Sequence, residues 1–187
     1  MKIAVASDHA GFALKQAVRA HLEDLGHEVI DLGTHSEVPV DYPIFCAACA
    51  RAVVRGEAEL GVVVGGSGQG EQIAANKVHG ARAALCHDEF TARLARAHNN
   101  ANVLSLGARV LAPELAIVIL DTFITGTFEG GRHVARIEEL AAFPGLGRPG
   151  EVKGTCELVS SPYVVVYRYT EEIVEILHIW HGAQDWR

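Results

Sequence analysis

The sequence lacks the features of membrane, secreted and nucleic-acid-binding proteins. Its 187 residues contain no run of about 18 apolar residues, the length that a membrane-spanning helix needs. The N-terminal segment, MKIAVASDHAG, enters a strand-like pattern without the layout of a signal peptide. The net charge of −7 argues against general binding to nucleic acid. We therefore expect a cytoplasmic protein that binds neither membrane nor nucleic acid.

Cysteine pairs and histidines with metal-ligand spacing are also scarce. Cys46 and Cys49 form a single CxxC pair inside an alanine-rich helical run, and no second CxxC follows. We interpret both as small core residues rather than as redox or zinc ligands. Five histidines show no metal-ligand spacing and are interpreted as surface or loop residues: His21, His27, His35, His79 and His87. The sequence therefore predicts no metal site.

The most informative stretch present is residues 60–77, LGVVVGGSGQGEQIAANK. An apolar run, Leu60–Val64, predicts a buried strand, and the glycine-rich loop after it leads into a helix that opens at Glu71. A strand, a glycine loop and a helix N-terminus together favour an anion site, because the first helical N–H groups are unpaired. Glu71 is then either a first-turn glutamate that complements the helix dipole or a general base that faces a bound substrate.

Strands and helices alternate along the first 145 residues. The predicted strands are 2–7, 27–32, 60–64, 81–86 and 103–106, and the predicted helices between and after them include 42–55, 89–97, 113–125 and 132–142. This order predicts a doubly wound α/β fold, a Rossmann-like three-layer αβα sandwich with a five-stranded parallel sheet. Ligands of such sheets bind beyond the carboxyl ends of the strands. Asp8, His9, Ser67, Glu71 and Arg109 all follow predicted strands.

The C-terminal part of the chain has a different pattern. Residues 143–150, FPGLGRPG, contain two prolines and three glycines, which is typical of a domain end. Beyond them, PYVVVYRY and IVEILHIW flank a short polar turn and predict a β-hairpin. We therefore predict a domain at 1–145, a linker at 146–150 and a hairpin tail at 151–187.

Residues 1 to about 145 resemble the sugar-phosphate isomerase family that comprises ribose-5-phosphate isomerase B and galactose-6-phosphate isomerase. Five segments carry the resemblance in the family's order: SDHAGFALK, DYP, GGSGQGEQIAANK, AHNNANVLSLGARV and EGGRHVARIE. The resemblance implies an isomerase that interconverts ribose 5-phosphate and ribulose 5-phosphate in the pentose phosphate pathway. It also implies that the enzyme needs no metal or coenzyme and that its active sites lie between the subunits of a homodimer or tetramer.

The resemblance also implies roles for individual residues. Some family members place a cysteine base where Gly65 stands, whereas this chain resembles the branch with GEQIAANK, in which the glutamate is the base. Aldose–ketose isomerisation passes through an enediolate, so it needs such a base and a stabiliser of negative charge. We expect Glu71 to be the base and His98 to open the sugar ring. The substrate-binding residues are expected to be Asp8, His9, Gly66, Ser67, Gly68, Gln69, Gly70, Asn99, Arg109, Arg132 and Arg136.

Several of these assignments have plainer alternatives. His98 could instead be a histidine at a helix C-terminus, where the helix dipole favours a positive charge. Arg132 and Arg136, four residues apart on one helix face, suit a phosphate but also suit ion pairs with Glu129 or Glu138. His133 matches the family segment by position only.

The tail and the substrate leave further alternatives open. Residues 151–187 are similar to the C-terminal part of RelE/ParE-type toxins, which end in a hairpin and an HGA-x-D-W stretch, here HGAQDW. We interpret the tail as a passive remnant of a gene fusion, or as a cover for a sheet edge or an extension of the subunit interface. The substrate could also be a hexose 6-phosphate such as allose or galactose 6-phosphate. Alternatively, the chain could belong to another class, a protein that binds a sugar phosphate or has a regulatory role without catalysing its turnover.

Overall fold

The computed structural model describes residues 1–141, 148–150, 153–160, 163–169 and 174–181. They divide into two compact units, Met1–His133 and Val134–Arg187. No helix among these residues is both long and apolar enough to cross a membrane.

The first unit alternates strands and helices as the sequence predicts. Its elements, in chain order, are β1 Lys2–Ser7, α1 Phe12–Asp24, β2 Glu28–Asp31, α2 Tyr42–Val54, β3 Leu60–Gly65, α3 Gln69–Asn76, β4 Ala83–Leu85, α4 Glu89–Asn99, β5 Val103–Gly107, α5 Pro113–Thr125 and the start of α6, Arg132–Ala141. Two boundaries differ from the prediction near the expected site. Helix α3 begins at Gln69 rather than Glu71, and α4 continues through His98 and Asn99.

The five strands form one parallel sheet in the order β2-β1-β3-β5-β4. The chain leaves β1 toward β2 and then returns to place β3 on the other side of β1, with Ile3 opposite Leu60 and Ser7 opposite Val64. This reversal of direction is the switch point at which open α/β sheets bind ligands. The segments after Ser7 and Gly65 therefore meet at one place.

Two apolar clusters cover the two faces of the sheet and make it the middle of three layers. Larger side chains of α1 and α5, such as Leu22 and Phe123, pack with Val62 and Leu104 on one face, together with alanines of α4. On the other face, α2 packs closely against Ala4 and Ala6 through small side chains that include Cys46 and Cys49. The predicted three-layer fold is confirmed. Burial raises the pKa of the Cys49 thiol to about 12, which suits a core residue rather than a metal or redox ligand.

A fully buried lysine joins α1 to the segment after β2. Lys15 Nζ donates to the Asp31 carboxylate and to the Thr34 carbonyl oxygen, the latter at 2.7 Å. Burial by itself would raise the pKa of Asp31, but hydrogen bonds from Lys15 and from the Gly33 N–H outweigh it, so that the pKa is lowered. The lysine thus fixes the start of the loop that leads toward the ligand-binding edge of the sheet.

The second unit contains the rest of α6 and an antiparallel sheet in the order β6-β7-β8-β9. Its strands are β6 Arg148–Pro149, β7 Cys156–Ser160, β8 Tyr163–Tyr169 and β9 Val174–His181. Strands β8 and β9 form the predicted hairpin, which is confirmed, while its turn at 170–172 lies outside the described residues. Two further strands, β6 and β7, precede the hairpin and were not predicted from the sequence pattern. Arg148 and Pro149 of the predicted linker pair with Glu157 and Cys156, and the predicted domain limits stay a prediction.

Candidate active site

A cavity of about 440 Å³ opens in the first unit where the segments after β1, β3 and β5 meet. It combines a carboxylate pair, a glycine loop, an arginine and an aromatic ring. Its lining residues are Asp8, His9, Ala10, Tyr42, Gly66, Ser67, Gly70, Glu71, Arg109 and Val110. Seven of them, Asp8, His9, Gly66, Ser67, Gly70, Glu71 and Arg109, are residues that the sequence predicts for the site.

Glu71 lies in the first turn of α3 with its side chain against the end of β3. The residue is only 4% exposed, yet it lines the cavity. A Cβ atom at Gly65 would overlap the Glu71 carboxylate, so the absence of a side chain there creates the space that the carboxylate fills. A first-turn glutamate that only complements the helix dipole would suit the solvent-exposed side of the helix equally well. The buried position at the cavity wall favours the general base.

The protonation equilibrium of Glu71 is shifted in the direction that suits a base. Burial is the largest cause of a raised pKa, and the negative charge of Asp8 adds to it, while the backbone N–H groups of Glu71 and Gly68 partly offset the rise. A carboxylate with a raised pKa is a stronger base once it is ionised. Perturbed carboxyl groups in clefts are common at functional sites.

The glycine loop between β3 and α3 is held by the end of β5. Gly68 adopts a positive φ of 79°, which a residue with a side chain rarely adopts, and thereby turns the chain into α3. The Ser105 hydroxyl donates to the Gly68 carbonyl oxygen at 2.7 Å, and the Arg109 N–H donates to that of Gly66 at 2.9 Å. The loop is therefore fixed before a ligand arrives. Gln69 donates its N–H to Ser67 Oγ at 3.3 Å, so that this amide stabilises the loop.

The remaining walls supply charge and an aromatic surface. Asp8 Oδ1 accepts the Gly11 N–H at 2.9 Å, which orders the segment after β1. His9 Nδ1 lies 3.3 Å from the backbone of Val40. The Arg109 guanidinium lies beside Gly66, where a Cβ atom would be 3.4 Å from Nη1. An arginine fork at this place can bind a phosphate or carboxylate.

Tyr42 is a cavity residue to which the sequence analysis assigned no role. Its ring packs over Gly70, where a Cβ atom would lie 2.7 Å from the hydroxyl oxygen. The segment DYP carried the family resemblance, and a tyrosine before Pro43 at the start of α2 was the available signal. Its hydroxyl supplies a hydrogen-bond donor and acceptor beside the first turn of α3.

Six predicted residues do not line this cavity: Gly68 and Gln69 of the glycine loop itself, and four residues farther along the chain. His98 and Asn99 lie in the last turn of α4, where His98 Nε2 is 3.7 Å from Glu129 Oε2. Arg132 is exposed at the start of α6, and Arg136 belongs to the second compact unit. His133 stacks on the His98 ring with centroids 4.3 Å apart. The cavity thus contains the expected base without the expected ring-opening acid.

The fold and the cavity define a class: a doubly wound α/β protein that places a buried carboxylate next to an anion-binding loop at its switch point. A model of the family described as Ribose/Galactose Isomerase matches residues 3–140. The chain belongs to this family, as its sequence predicts.

Named relatives agree with this membership. Ribose-5-phosphate isomerase B of Mycolicibacterium paratuberculosis is 49% identical over 145 residues, which cover 76% of this chain and 91% of the relative. The Escherichia coli protein of the same name is 46% identical over 141 residues, 75% of this chain and 95% of the relative. Among solved structures, Clostridium thermocellum ribose-5-phosphate isomerase B matches with a TM-score of 0.77 and 46% identity, over 78% of this chain and 98% of that chain.

A second family model matches the C-terminal part. Residues 132–186 match the ParE toxin of the type II toxin–antitoxin system parDE. This agrees with the toxin-like tail, but the match begins at α6, well before the hairpin. It therefore includes β7 and also α6 and β6, which lie before the predicted tail at 151–187.

We predict that Gly65→Ala inactivates the protein by displacing Glu71. The added methyl group overlaps the carboxylate, so kcat should fall at least about tenfold while the thermal unfolding temperature changes little. In a Glu71→Ala background the methyl group has room, and Gly65→Ala should change the residual rate by less than about twofold. Equal effects of Gly65→Ala in both backgrounds would show that the two positions are not coupled.

The raised pKa of Glu71 predicts a pH dependence. A base must be ionised, so kcat/KM should fall as the pH decreases through the pKa of Glu71, at a higher pH than an ordinary glutamate gives. Asp8→Asn removes a charge that raises this pKa, so the acid limb should move to lower pH even though the rate itself is reduced. Measuring kcat/KM against pH for the wild type and for Asp8→Asn tests this shift. Ionisation of the substrate affects the two profiles equally, so a difference between them reports on the enzyme. An acid limb at the same pH in both proteins would contradict it.

Proposed function

We propose that this chain is an aldose–ketose isomerase that interconverts ribose 5-phosphate and ribulose 5-phosphate. The observation that carries the proposal is the buried Glu71 carboxylate in the cavity that the glycine loop and Arg109 also line. Relatives named ribose-5-phosphate isomerase B match nearly their whole length, and one solved relative, from Mycoplasma genitalium, has bound ribulose-5-phosphate at 41% identity.

Glu71 transfers the proton in this mechanism. Its carboxylate removes the proton from C2 of the open-chain aldose and returns it to C1 of the enediolate, while the proton of the O2 hydroxyl moves to O1, which gives the ketose. Burial keeps water from solvating the carboxylate and raises its pKa, so the ionised group accepts a proton more readily than an exposed glutamate. The N–H groups of the fixed loop at Gly66, Ser67 and Gly70 donate toward the oxygen on which negative charge develops. Arg109 binds the phosphate, and Asp8 and His9 bind sugar hydroxyls.

We infer that the ring-opening group comes from a second subunit. His98 and Asn99 do not line the cavity of their own chain, which supports an active site shared between two copies of the protein. In this arrangement His98 of one subunit protonates the ring oxygen of a sugar held against Glu71 of the other. Arg132 and Arg136 then bind the same phosphate as Arg109. The cytoplasmic location predicted from the sequence remains an expectation.

The decisive test is turnover of ribose 5-phosphate by the purified protein and by Glu71→Gln. We expect Glu71→Gln to lower kcat by about 10²–10⁴, because the amide cannot accept the proton, and to bind a non-reacting substrate analogue as tightly as the wild type. Glu57→Gln, an exposed glutamate before β3, should have wild-type activity.

The same assay distinguishes the alternatives. Preferred turnover of allose or galactose 6-phosphate would keep the mechanism and change the substrate. Tight analogue binding without turnover of any of these sugars would contradict an isomerase and favour a binding protein.

A mixing experiment tests the shared site. Glu71→Gln and His98→Gln should each be nearly inactive as pure proteins. If the two groups act on one substrate from different subunits, co-expression yields hybrid dimers with one intact site of two, and about a quarter of wild-type activity should return when subunits pair at random. If both groups act from the same chain, no hybrid contains an intact site and activity stays at the level of the pure variants.

A further inference from the structure

A group of three side chains outside the cavity has the composition of a metal site. Among the residues that the structure describes, His98, Glu129 and His133 are the one group of three whose ligand atoms all lie within 4.8 Å of one another. Two imidazoles and one carboxylate are the donors that bind zinc in sites that keep a fourth position open for water.

The backbone holds the three residues together from three adjacent segments. His98 is in the last turn of α4, and the Glu129 N–H donates to the Ala97 carbonyl oxygen at 3.0 Å, which ties the segment after α5 to the end of α4. Gly130 and Gly131 then adopt positive φ angles of 66° and 57°. This turn places His133 in the first turn of α6, where it is buried and stacks on His98 with the ring planes 10° apart.

The distances require only small side-chain movements for an ion to bind. Zinc bonds of about 2.0–2.2 Å in a tetrahedral site separate two ligand atoms by roughly 3.3–3.5 Å. His98 Nε2 and Glu129 Oε2, at 3.7 Å, are already near that separation. The third ligand atom lies within 4.8 Å of the other two and must approach by up to roughly 1.5 Å, which the broad χ2 torsions of histidine allow once the rings tilt out of their parallel stack. Glu129 is 65% exposed in its side chain and free to adjust.

The end of α4 and Glu129 supply negative charge beside the group, which favours a cation. The last turn of α4 carries the negative end of the helix dipole, and Glu129 adds a full negative charge. The nearest arginine in that turn, Arg96, directs its guanidinium to the carbonyl oxygens of Ala101, at 2.6 Å, and Gly126, at 3.3 Å.

We propose that His98, Glu129 and His133 form a divalent-cation site, best suited to Zn²⁺, whose occupation inhibits the enzyme. The inhibition rests on the proposed function, because a His98 imidazole bound to a metal through Nε2 cannot transfer a proton at the sugar ring oxygen. The metal takes no part in the reaction. Binding and inhibition are separate consequences and can be measured separately.

Titration calorimetry with Zn²⁺ on tag-free, chelator-treated protein tests the site. We expect one ion per chain, with a Kd that rises by more than about tenfold in Glu129→Gln and in His133→Gln, since each removes a direct ligand. His79→Gln, an exposed histidine elsewhere in the chain, is the matched control and should bind as the wild type does. Glu129→Gln changes an exposed side chain, so its loss of binding cannot be attributed to unfolding.

The absorption spectrum of bound Co²⁺ identifies the type of ligand. Co²⁺ bound to nitrogen and oxygen ligands lacks the thiolate charge-transfer band in the near ultraviolet that a site involving Cys86 or Cys156 would show. That band, an absence of binding, or a Kd that Glu129→Gln and His133→Gln leave unchanged would each overturn the proposed site.

Activity measured at buffered free Zn²⁺ completes the test. Inhibition of ribose 5-phosphate turnover should reach its midpoint at the calorimetric Kd and shift in parallel with it in Glu129→Gln. Binding at these residues without inhibition would overturn the regulatory role. Binding in a protein that turns over no sugar phosphate would support the site while contradicting the proposed function.

Discussion

The contact between the Glu71 carboxylate and the backbone of Gly65 is the constraint on which the candidate site depends. The carboxylate occupies the volume that any side chain at position 65 would need. A side chain at position 65 and the Glu71 carboxylate in its present place therefore exclude each other sterically. The close packing of the Glu71 carboxylate leaves no room for a side chain at position 65, and burial of the same carboxylate raises its pKa. The packing of Glu71 therefore determines both the steric exclusion and the raised pKa.

The surrounding structure maintains this contact. β3 is buried along its whole length, and β5 holds the loop after it through Ser105 and the backbone of Arg109. Few parts of the loop can move without breaking a hydrogen bond to β5. A preformed anion-binding loop of this kind needs little reorganisation when negative charge develops on a ligand, which is the condition under which such donors are most effective.

The parts of this structure that sequence can predict are those with a strong local signal. Alternating apolar runs and helical patterns predict the order of the elements. The glycine loop made Glu71 a candidate, and the family resemblance favoured it as the base over a residue that complements the helix dipole. Tyr42 was missed, since its ring reaches Gly70 only through the packing of α2 on α3, a long-range contact without a local pattern. The grouping of His98 with Glu129 and His133 was missed for a similar reason. Their separation in sequence resembles no metal motif, and only the turn at Gly130 and Gly131 brings them together.

Helix α6 belongs to both family matches, since residues 132–140 lie within the isomerase model and within the toxin model. The two family matches therefore join inside a helix. A join of this kind must preserve helical phase, because each inserted or deleted residue rotates everything after it by about 100°. Arg132 and Arg136 share one face only while the number of residues between them is kept. An insertion or deletion between Arg132 and Arg136 would therefore turn their side chains to different faces of α6.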